Sequence, residues 1–408
     1  MRVIVIGCGA SGIVASIFAK NSDNEVIVLE KNSKPMKKLL ITGNGKCNYF
    51  NDDFSSLHYC SNDMDLISSI FSDSNKRMVL DFFSSIGVVP RVRNGYYYPN
   101  SNQAFSVFNS LLKEASLRGV NIVYDTTVLN IVKKDRFVVR TNNGDYICDK
   151  VIVSTGGMSY PKTGSSGDGY VLGRSFGHSV TGVYPGLVQL VSSDKFFKDL
   201  SGVRCDACVS LYCDSFIRSE VGEVQFTDYG LSGICIFNLS NYVGSLLSSL
   251  RKVSVKINFF YDFNVSSVSS MYDFMCSINS RVSNRSVCEL LEGYLNYKLV
   301  NVILRLCGID SSCSWDSISD SLRNRLCELL VSFSVSIVDT KGFDCAQVSV
   351  GGIGLSDISV NNFESKLVPG LYFTGEVLDV TGDCGGYNLG FAFLSGMFAG
   401  MDIGGIND

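Results

Sequence analysis

Apolar positions follow two rhythms along this chain, short runs and longer stretches with an apolar residue every three or four positions, and their order predicts a mixed α/β protein. Val3 to Ile6 is a continuous apolar run, the pattern of a strand buried on both faces, and Val26 to Leu29 is a second. Between them lies a helical stretch that begins near Ala10 and Ser11. The loop after Glu30 is marked by Gly43, Asn44, Gly45 and Asn48. Residues 103–118 carry Phe105, Phe108, Leu111, Leu112 and Ala115 on one helical stripe, which predicts a core-packing helix. Strands follow from Asn121 to Tyr124 continuing to Ile131, Phe137 to Thr141 and Tyr146 to Cys148, with Asn142-Asn143-Gly144 as the hairpin turn between the last two. Val151 to Ser154 then runs straight into Thr155-Gly156-Gly157.

From about Pro185 to Phe263 the rhythm becomes that of short alternating strands, such as Ala207 to Cys213 and Val253 to Phe260, which predicts a β-barrel or sandwich insert. From Ser267 to Phe333 it turns helical again. Ile318, Leu322, Leu326, Leu330 and Phe333 recur at helical spacing, and Leu290 to Leu306 does likewise, so a small α-helical subdomain is expected there. The last segment returns to a strand, Leu371 to Thr374, and an apolar helix opening at Gly386.

The first of these elements carry chemistry. Gly7, Gly9 and Gly12 form a GxGxxG turn between strand and helix: the first allows the bend, the second admits a pyrophosphate to the backbone, the third packs helix on strand. The amides of Ala10 and Ser11 would face the phosphates with the positive end of the helix dipole. Glu30 closes the second strand, placed to accept from ribose hydroxyls and to repel a 2′-phosphate. The motif alone serves NAD and FAD equally. At the other end of the chain, a helix opening at Gly386 would aim its positive end at negative charge developing on a bound ring, and Glu376 would accept from a polyol hydroxyl.

Composition narrows the class. With 408 residues, 46% of them hydrophobic, the chain can fill two or three domains. A net charge of −4 without a Lys/Arg run leaves counterion release no obvious source, so nucleic-acid partners are disfavoured. Fifteen cysteines, an odd number without histidines at ligand spacing, speak against a disulfide framework and against a metal site. No run of 18 apolar residues occurs, and the first strand begins too early for a signal peptide, so no membrane partner and a cytoplasmic location are expected.

Five segments, KKLLITGNGKCNYFN, STGGMSYPKTGSSGDGY, GEVQFTDYGLSG, AQVSVGGI and ESKLVPGLYFTGEVLDVTGDCGGYNLGFAF, resemble the signatures of bacterial FAD-dependent oxidoreductases of the aminoacetone-oxidase type. That group includes flavoproteins placed in bile-acid dehydroxylation. The resemblance implies an α/β fold with a Rossmann-like FAD domain of the two-dinucleotide-binding flavoprotein kind, an inserted β-barrel and a small α-helical subdomain. The expected bounds are 1–188 and 345–408 for the FAD domain, 189–265 and 334–344 for the barrel, and 266–333 for the helical insert. Carried over by position, Gly7, Gly9, Ala10, Ser11, Gly12, Glu30 and Lys31 would hold the ADP half of FAD. Lys38, Leu39, Thr42, Gly43, Asn44, Cys47 and Asn48 would line the stretch from pyrophosphate to flavin. Val128 would offer its backbone to adenine, and Thr155, Gly156 and Gly157 would sit beside ribose and pyrophosphate. Gly375, Glu376, Asp379, Gly385, Gly386, Tyr387, Asn388 and Leu389 would surround ribityl and ring. The sequence departs from the family pattern at Asn44, Lys46, Ile234 and Gly390, where Gly, Arg, Pro and Gln are usual.

The function expected is hydride transfer from NAD(P)H to flavin N5 and on to an electron-poor small molecule, an enone C=C for instance. The alternatives are an amine oxidase using dioxygen and a non-catalytic flavin redox sensor or electron-transfer protein. No second GxGxxG unit is visible, so NAD(P)H would bind transiently. Tyr387, Lys162 and Cys47 are the catalytic candidates, with Tyr160 and Tyr229 behind them; for Cys47 the simpler reading is a buried packing residue. Of the two histidines, His178 reads as structural. Tyr96-Tyr97-Tyr98 forms an aromatic patch suited to an apolar substrate or to packing.

Overall fold

In the computed structural model, which describes residues 1–282 and 284–405, the first apolar run is the centre of a five-stranded parallel sheet. The order across it is Leu371–Phe373, Lys150–Val153, Arg2–Ile6, Glu25–Leu29, Asn121–Val123. Val3, Ile4 and Val5 are wholly buried, as are Val151 to Val153 beside them. At about 1.5–3 kcal/mol per buried branched side chain, this stripe supplies much of the local stability.

The first helix, Ala10–Ala19, leaves Gly9 and packs against the C-terminal helix, Tyr387–Gly404. A Cβ at Gly396 would stand 2.4 Å from the carbonyl oxygen of Ser11, and one at Gly400 would stand 2.6 Å from that of Ala15. Glycine is therefore what lets the two helices touch backbone to backbone. Both contacts advance by four residues in the same direction, so the helices run parallel and present their N-termini at the same end.

The chain divides into two compact units, Met1–Tyr184 with Gln347–Asp408, and Pro185–Ala346. The first holds the parallel sheet, the helix Ala104–Arg118 and an antiparallel meander of Val128–Lys133, Phe137–Thr141 and Gly144–Cys148. The expected single run from Asn121 to Ile131 is two strands in different sheets. Asp125 breaks it with φ 52°, and the Thr126 N–H donates back to the Glu30 carbonyl at 2.9 Å, swinging Thr126 to Val128 over the end of the second strand.

The second unit contains a closed six-stranded barrel of Leu190–Ser192, Gly230–Ser232, Ser215–Phe226, Arg204–Cys213, Val253–Asn258 and Phe333–Thr340. Val209, Leu211, Val255, Ile257 and Val335 fill its interior. A helix, Ile234–Ser248, lies within the stretch that reads as strands alone. The helical part comprises Val268–Arg281, Val287–Glu292, Tyr297–Cys307 and Asp320–Val331. Ile318 and Phe333, the ends of the expected stripe, lie outside the last helix because Ser319 caps its start and Phe333 opens a strand. Cys205 and Cys208 have C-x-x-C spacing, but they lie within one strand, where residues three apart face opposite sides. No metal-binding group is found among the described residues. No described helix is long and apolar enough to cross a membrane.

Candidate functional site

A cleft in the first unit holds about 1210 Å³ of space free of atoms, part of it open to solvent. It runs from Thr126 to Val128 and Thr163 to Ser165 at one end, past Gly7 to Ser11, to Thr42, Asn388 and Leu389 at the other. The Gly7 turn needs its φ of 96°, and a Cβ there would lie 2.6 Å from the Ser154 carbonyl oxygen; a Cβ at Gly12 would lie 2.0 Å from the Gly7 oxygen. Gly9 differs from both. Its Cβ would meet no protein atom nearer than 4.0 Å, because the space beside it is the cleft itself.

No side chain caps the first helix at Gly9 or the C-terminal helix at Gly386, and a helix start of this kind favours an anion. The C-terminal helix begins nine residues before Gly396 and the first helix one residue before Ser11, so at 1.5 Å per residue the two N-termini are offset by about 12 Å along the helix axes. Two anion-favouring helix ends at that spacing fit the pyrophosphate and ring of one extended FAD.

Side chains complete the cradle. Glu30 is buried and accepts from the Cys8 N–H (2.9 Å), the Asn32 N–H (2.8 Å) and the Asn32 amide (2.7 Å), so its carboxylate is fixed at the strand end. Lys38 donates to Glu376 at 2.7 Å and to Ser159 at 2.6 Å. The second oxygen of Glu376 accepts from the Ser159 hydroxyl and the Ser349 N–H, both at 2.8 Å. Glu376 is thus committed to protein donors and holds Lys38 as a fixed positive charge on the cleft wall. Lys31 pairs with Asp168 at 2.6 Å.

Of the residues singled out from sequence, Gly7, Gly9, Ala10, Ser11, Glu30, Lys31, Lys38, Leu39, Thr42, Val128, Thr155, Gly156, Glu376, Asn388 and Leu389 line this cleft. Others lie behind it. Gly157 packs on Ser349, Gly375 on Ser11, and Gly386 on the Phe50 carbonyl and Asn48. Asp379 is buried against Asn62, whose amide donates to it at 2.8 Å, and burial raises its carboxyl above the usual range. Gly43 and Asn44 occupy the left-handed region just after Thr42, where the expected loop is preceded by one helical turn from Lys37. The Asn388 side chain clamps Gly382, donating to its carbonyl at 2.8 Å and accepting from its N–H at 2.9 Å. Met36, Thr127, Gln347 and Val348 also line the cleft and were not singled out; the segment AQVSVGGI held the only signal for the last two.

The catalytic candidates are dispersed. Cys47 is wholly buried, and burial pushes its thiol up to about 12, the profile of a packing residue. Lys162 is exposed on a short turn, Tyr160 is exposed beside it, and Tyr229 belongs to the second unit beneath the Lys341 ammonium. Tyr387 is buried and stacks on His58, with ring centroids 4.5 Å apart. Asp383 and Asp53 flank His58, at 3.3 and 2.9 Å, and hold its ring above the usual imidazole range. Of the departures from the family pattern, Gly390 has a physical account: a Cβ there would press on the Phe50 ring at 3.0 Å.

Fold and cleft together define a Rossmann-type FAD flavoprotein of the oxidoreductase class. The chain belongs to the family described as HI0933-like protein Rossmann domain, whose model matches residues 1–402. It is 35% identical over 404 residues, 98% of each chain, to the 3-dehydro-bile acid delta(4,6)-reductase of Clostridium scindens. To the ribosomal RNA dihydrouridine synthase of Escherichia coli it is 27% identical over 407 residues, 98% of this chain and 97% of the other. Two solved structures share the fold at a TM-score of 0.50. One is the 3-ketosteroid-delta4-(5alpha)-dehydrogenase of Rhodococcus jostii (14% identity, 98% of this chain, 96% of that one). The other is a flavocytochrome c3 fumarate reductase (15% identity, 99% and 78%).

Proposed function

We propose that this protein is an FAD-dependent reductase of a carbon–carbon double bond conjugated to a carbonyl, drawing its hydride from NADH or NADPH. The observation that carries the reading is the pair of uncapped helix N-termini on one cleft, offset by about 12 Å. The names of the two relatives supply the acceptor. A delta(4,6) bond system beside a 3-keto group and the C5–C6 bond of uridine are both double bonds conjugated to a carbonyl. When bound, FAD supplies the two-electron relay between nicotinamide and acceptor.

The residues of the chain bind, orient and balance charge. The amides of the first helix receive the pyrophosphate, and Glu30, fixed by Cys8 and Asn32, keeps lone pairs for the adenosine ribose. Lys38, held by Glu376 and Ser159, and the leading amides of the C-terminal helix would set positive potential beside bound FAD, where they would favour its reduced, negatively charged form. The test is an anaerobic one. NADH or NADPH is mixed with the FAD-loaded protein, the visible flavin absorbance is followed, and an enone is then added. Bleaching by a nicotinamide followed by recovery with the enone is expected. A flavin that stays oxidised overturns the donor, and one that recovers only with dioxygen overturns the acceptor.

A further inference from the structure

Beside the Thr42 and Asn388 end of the cleft stands a hairpin, Pro90–Arg93 paired with Tyr96–Pro99. The register sets Arg91 opposite Tyr98 and Arg93 opposite Tyr96, so these four side chains share one face. Tyr97 takes the other face and packs inward against Tyr49 and Phe50. On the shared face Tyr96 covers Gly385, where a Cβ would lie 2.8 Å from its ring, and Tyr98 lies against Gly43, where a Cβ would lie 3.6 Å from its ring. The two rings thus span from the loop that opens the C-terminal helix to the kink that follows Thr42. Both are half-buried, while both arginines are exposed.

Neither guanidinium has a hydrogen bond or ion pair among the described residues. The carboxylates packed near the hairpin are already engaged: Asp52, whose N–H donates to the Gly95 carbonyl in its turn, pairs with Lys76 at 2.7 Å, and Asp53 and Asp383 pair with His58. Two positive charges without a partner among the described residues therefore share one face with two aromatic rings, of which Tyr98 rests on the residue after Thr42 of the cleft wall, in a chain of net charge −4. An aromatic floor takes a flat apolar body, and the guanidinium forks take a carboxylate at its far end.

Building on the reductase reading above, we infer that this hairpin face selects the acceptor: a flat conjugated carbonyl compound carrying a carboxylate remote from the reacting bond. Arg91 and Arg93 hold the carboxylate, and Tyr96 and Tyr98 support the rings. An RNA strand would need a longer basic track than two arginines provide.

The experiment compares the FAD-loaded wild type with Arg91→Ala/Arg93→Ala, Arg91→Lys/Arg93→Lys and Arg91→Glu/Arg93→Glu. Each is titrated with a 3-oxo-4-ene steroid acid, its methyl ester and a uridine-containing RNA oligonucleotide. Binding to the oxidised protein is read by calorimetry, and turnover is measured separately. The wild type should favour the acid over the ester, and the alanine pair should cut that preference about tenfold, the effect expected of two exposed charge-assisted contacts. The lysine pair should restore part of the preference and the glutamate pair invert it. A preference for acid over ester that is absent, or that is the same in all four proteins, overturns the inference. So does RNA binding that exceeds acid binding and falls with the same substitutions. Selective binding without turnover leaves the hairpin assignment standing and refutes the reductase reading instead.

Discussion

Gly9 and Gly12 belong to one motif, yet the structure gives them opposite roles, and alanine at each position separates phosphate binding from folding. At Gly12 the new Cβ would stand 2.0 Å from the Gly7 carbonyl oxygen, about 1.5 Å inside a comfortable contact. The neighbour is backbone, so the helix must move away from the sheet, and a loss of about 1–3 kcal/mol or more follows. At Gly9 the backbone is extended (φ −85°, ψ −167°), a conformation alanine adopts freely, and the Cβ would meet nothing closer than 4.0 Å. The apoprotein should therefore keep its stability or gain about 0.4–1 kcal/mol from a stiffer unfolded chain. The same methyl group would stand in the cleft where a phosphate approaches the leading amides. Losing one charge-assisted bond there, worth about 1.5–3 kcal/mol, weakens FAD binding by about 10- to 150-fold. Thermal unfolding of both apoproteins and titration with FAD, followed by quenching of its fluorescence, measure the two effects. The reasoning is refuted if Gly9→Ala binds FAD like the wild type, or if it lowers the apoprotein Tm as far as Gly12→Ala does.

Three further outcomes are expected. Glu376→Gln keeps an acceptor for Ser159 and Ser349 but turns an amide toward the Lys38 ammonium, so it should cost about 1–2 kcal/mol in urea unfolding of the holoprotein; a change below about 0.3 kcal/mol would show that the pair holds nothing in place. His178 is buried, and burial lowers its pKa, so the folded state holds the ring neutral and stability is lost as pH falls below the unfolded value of about 6.5. His58 has the opposite sign: its contribution is fully present below about 6.5 and is lost as pH rises through its raised folded value. The test is therefore a difference, in which His178→Gln should remove about 1 kcal/mol of the wild type's stability change between pH 7.5 and 5.5; an unchanged profile contradicts it. Finally, a thiol alkylating agent should label the exposed Cys276 and Cys345 in the native protein and reach Cys47 only after denaturation, as read by peptide mass spectrometry; native labelling of Cys47 at the rate of Cys345 would contradict the packing role.

Much of the first unit is legible because its signals are local. Strand, glycine turn, helix and terminal acid occupy the first thirty residues, and Gly386 marks the last helix by backbone conformation alone. What the sequence hides depends on partners far along the chain. Glu376 reads as a ligand to a polyol, but Lys38, 338 positions away, and Ser159 and Ser349 already claim its oxygens. Asn388 likewise reads as a cofactor contact, and its side chain is spent on Gly382. The helix Ile234–Ser248 escapes notice because Ile234 to Phe237 is an unbroken apolar run, which carries neither the two-residue nor the 3.6-residue period.

The parallel contact between the first and last helices explains why the site needs both ends of the chain. A helix N-terminus holds an anion only where tertiary structure fixes it, and here each of the two is fixed by the other. Gly396 seats the C-terminal helix on the Ser11 carbonyl, one residue from the amides offered to the phosphates, and Gly400 repeats the contact one turn on. Sliding the C-terminal helix along this seam would shift its leading amides by the same distance relative to the first helix. The offset of about 12 Å is therefore set by two glycines that do not line the cleft. Beyond them, Asn388 ties the loop at Gly382 to the start of the helix, and Tyr59 donates to the Tyr387 carbonyl at 3.0 Å. The spacing that suits the cleft to an extended dinucleotide is thus a property of helix packing, with the lining residues placed upon it.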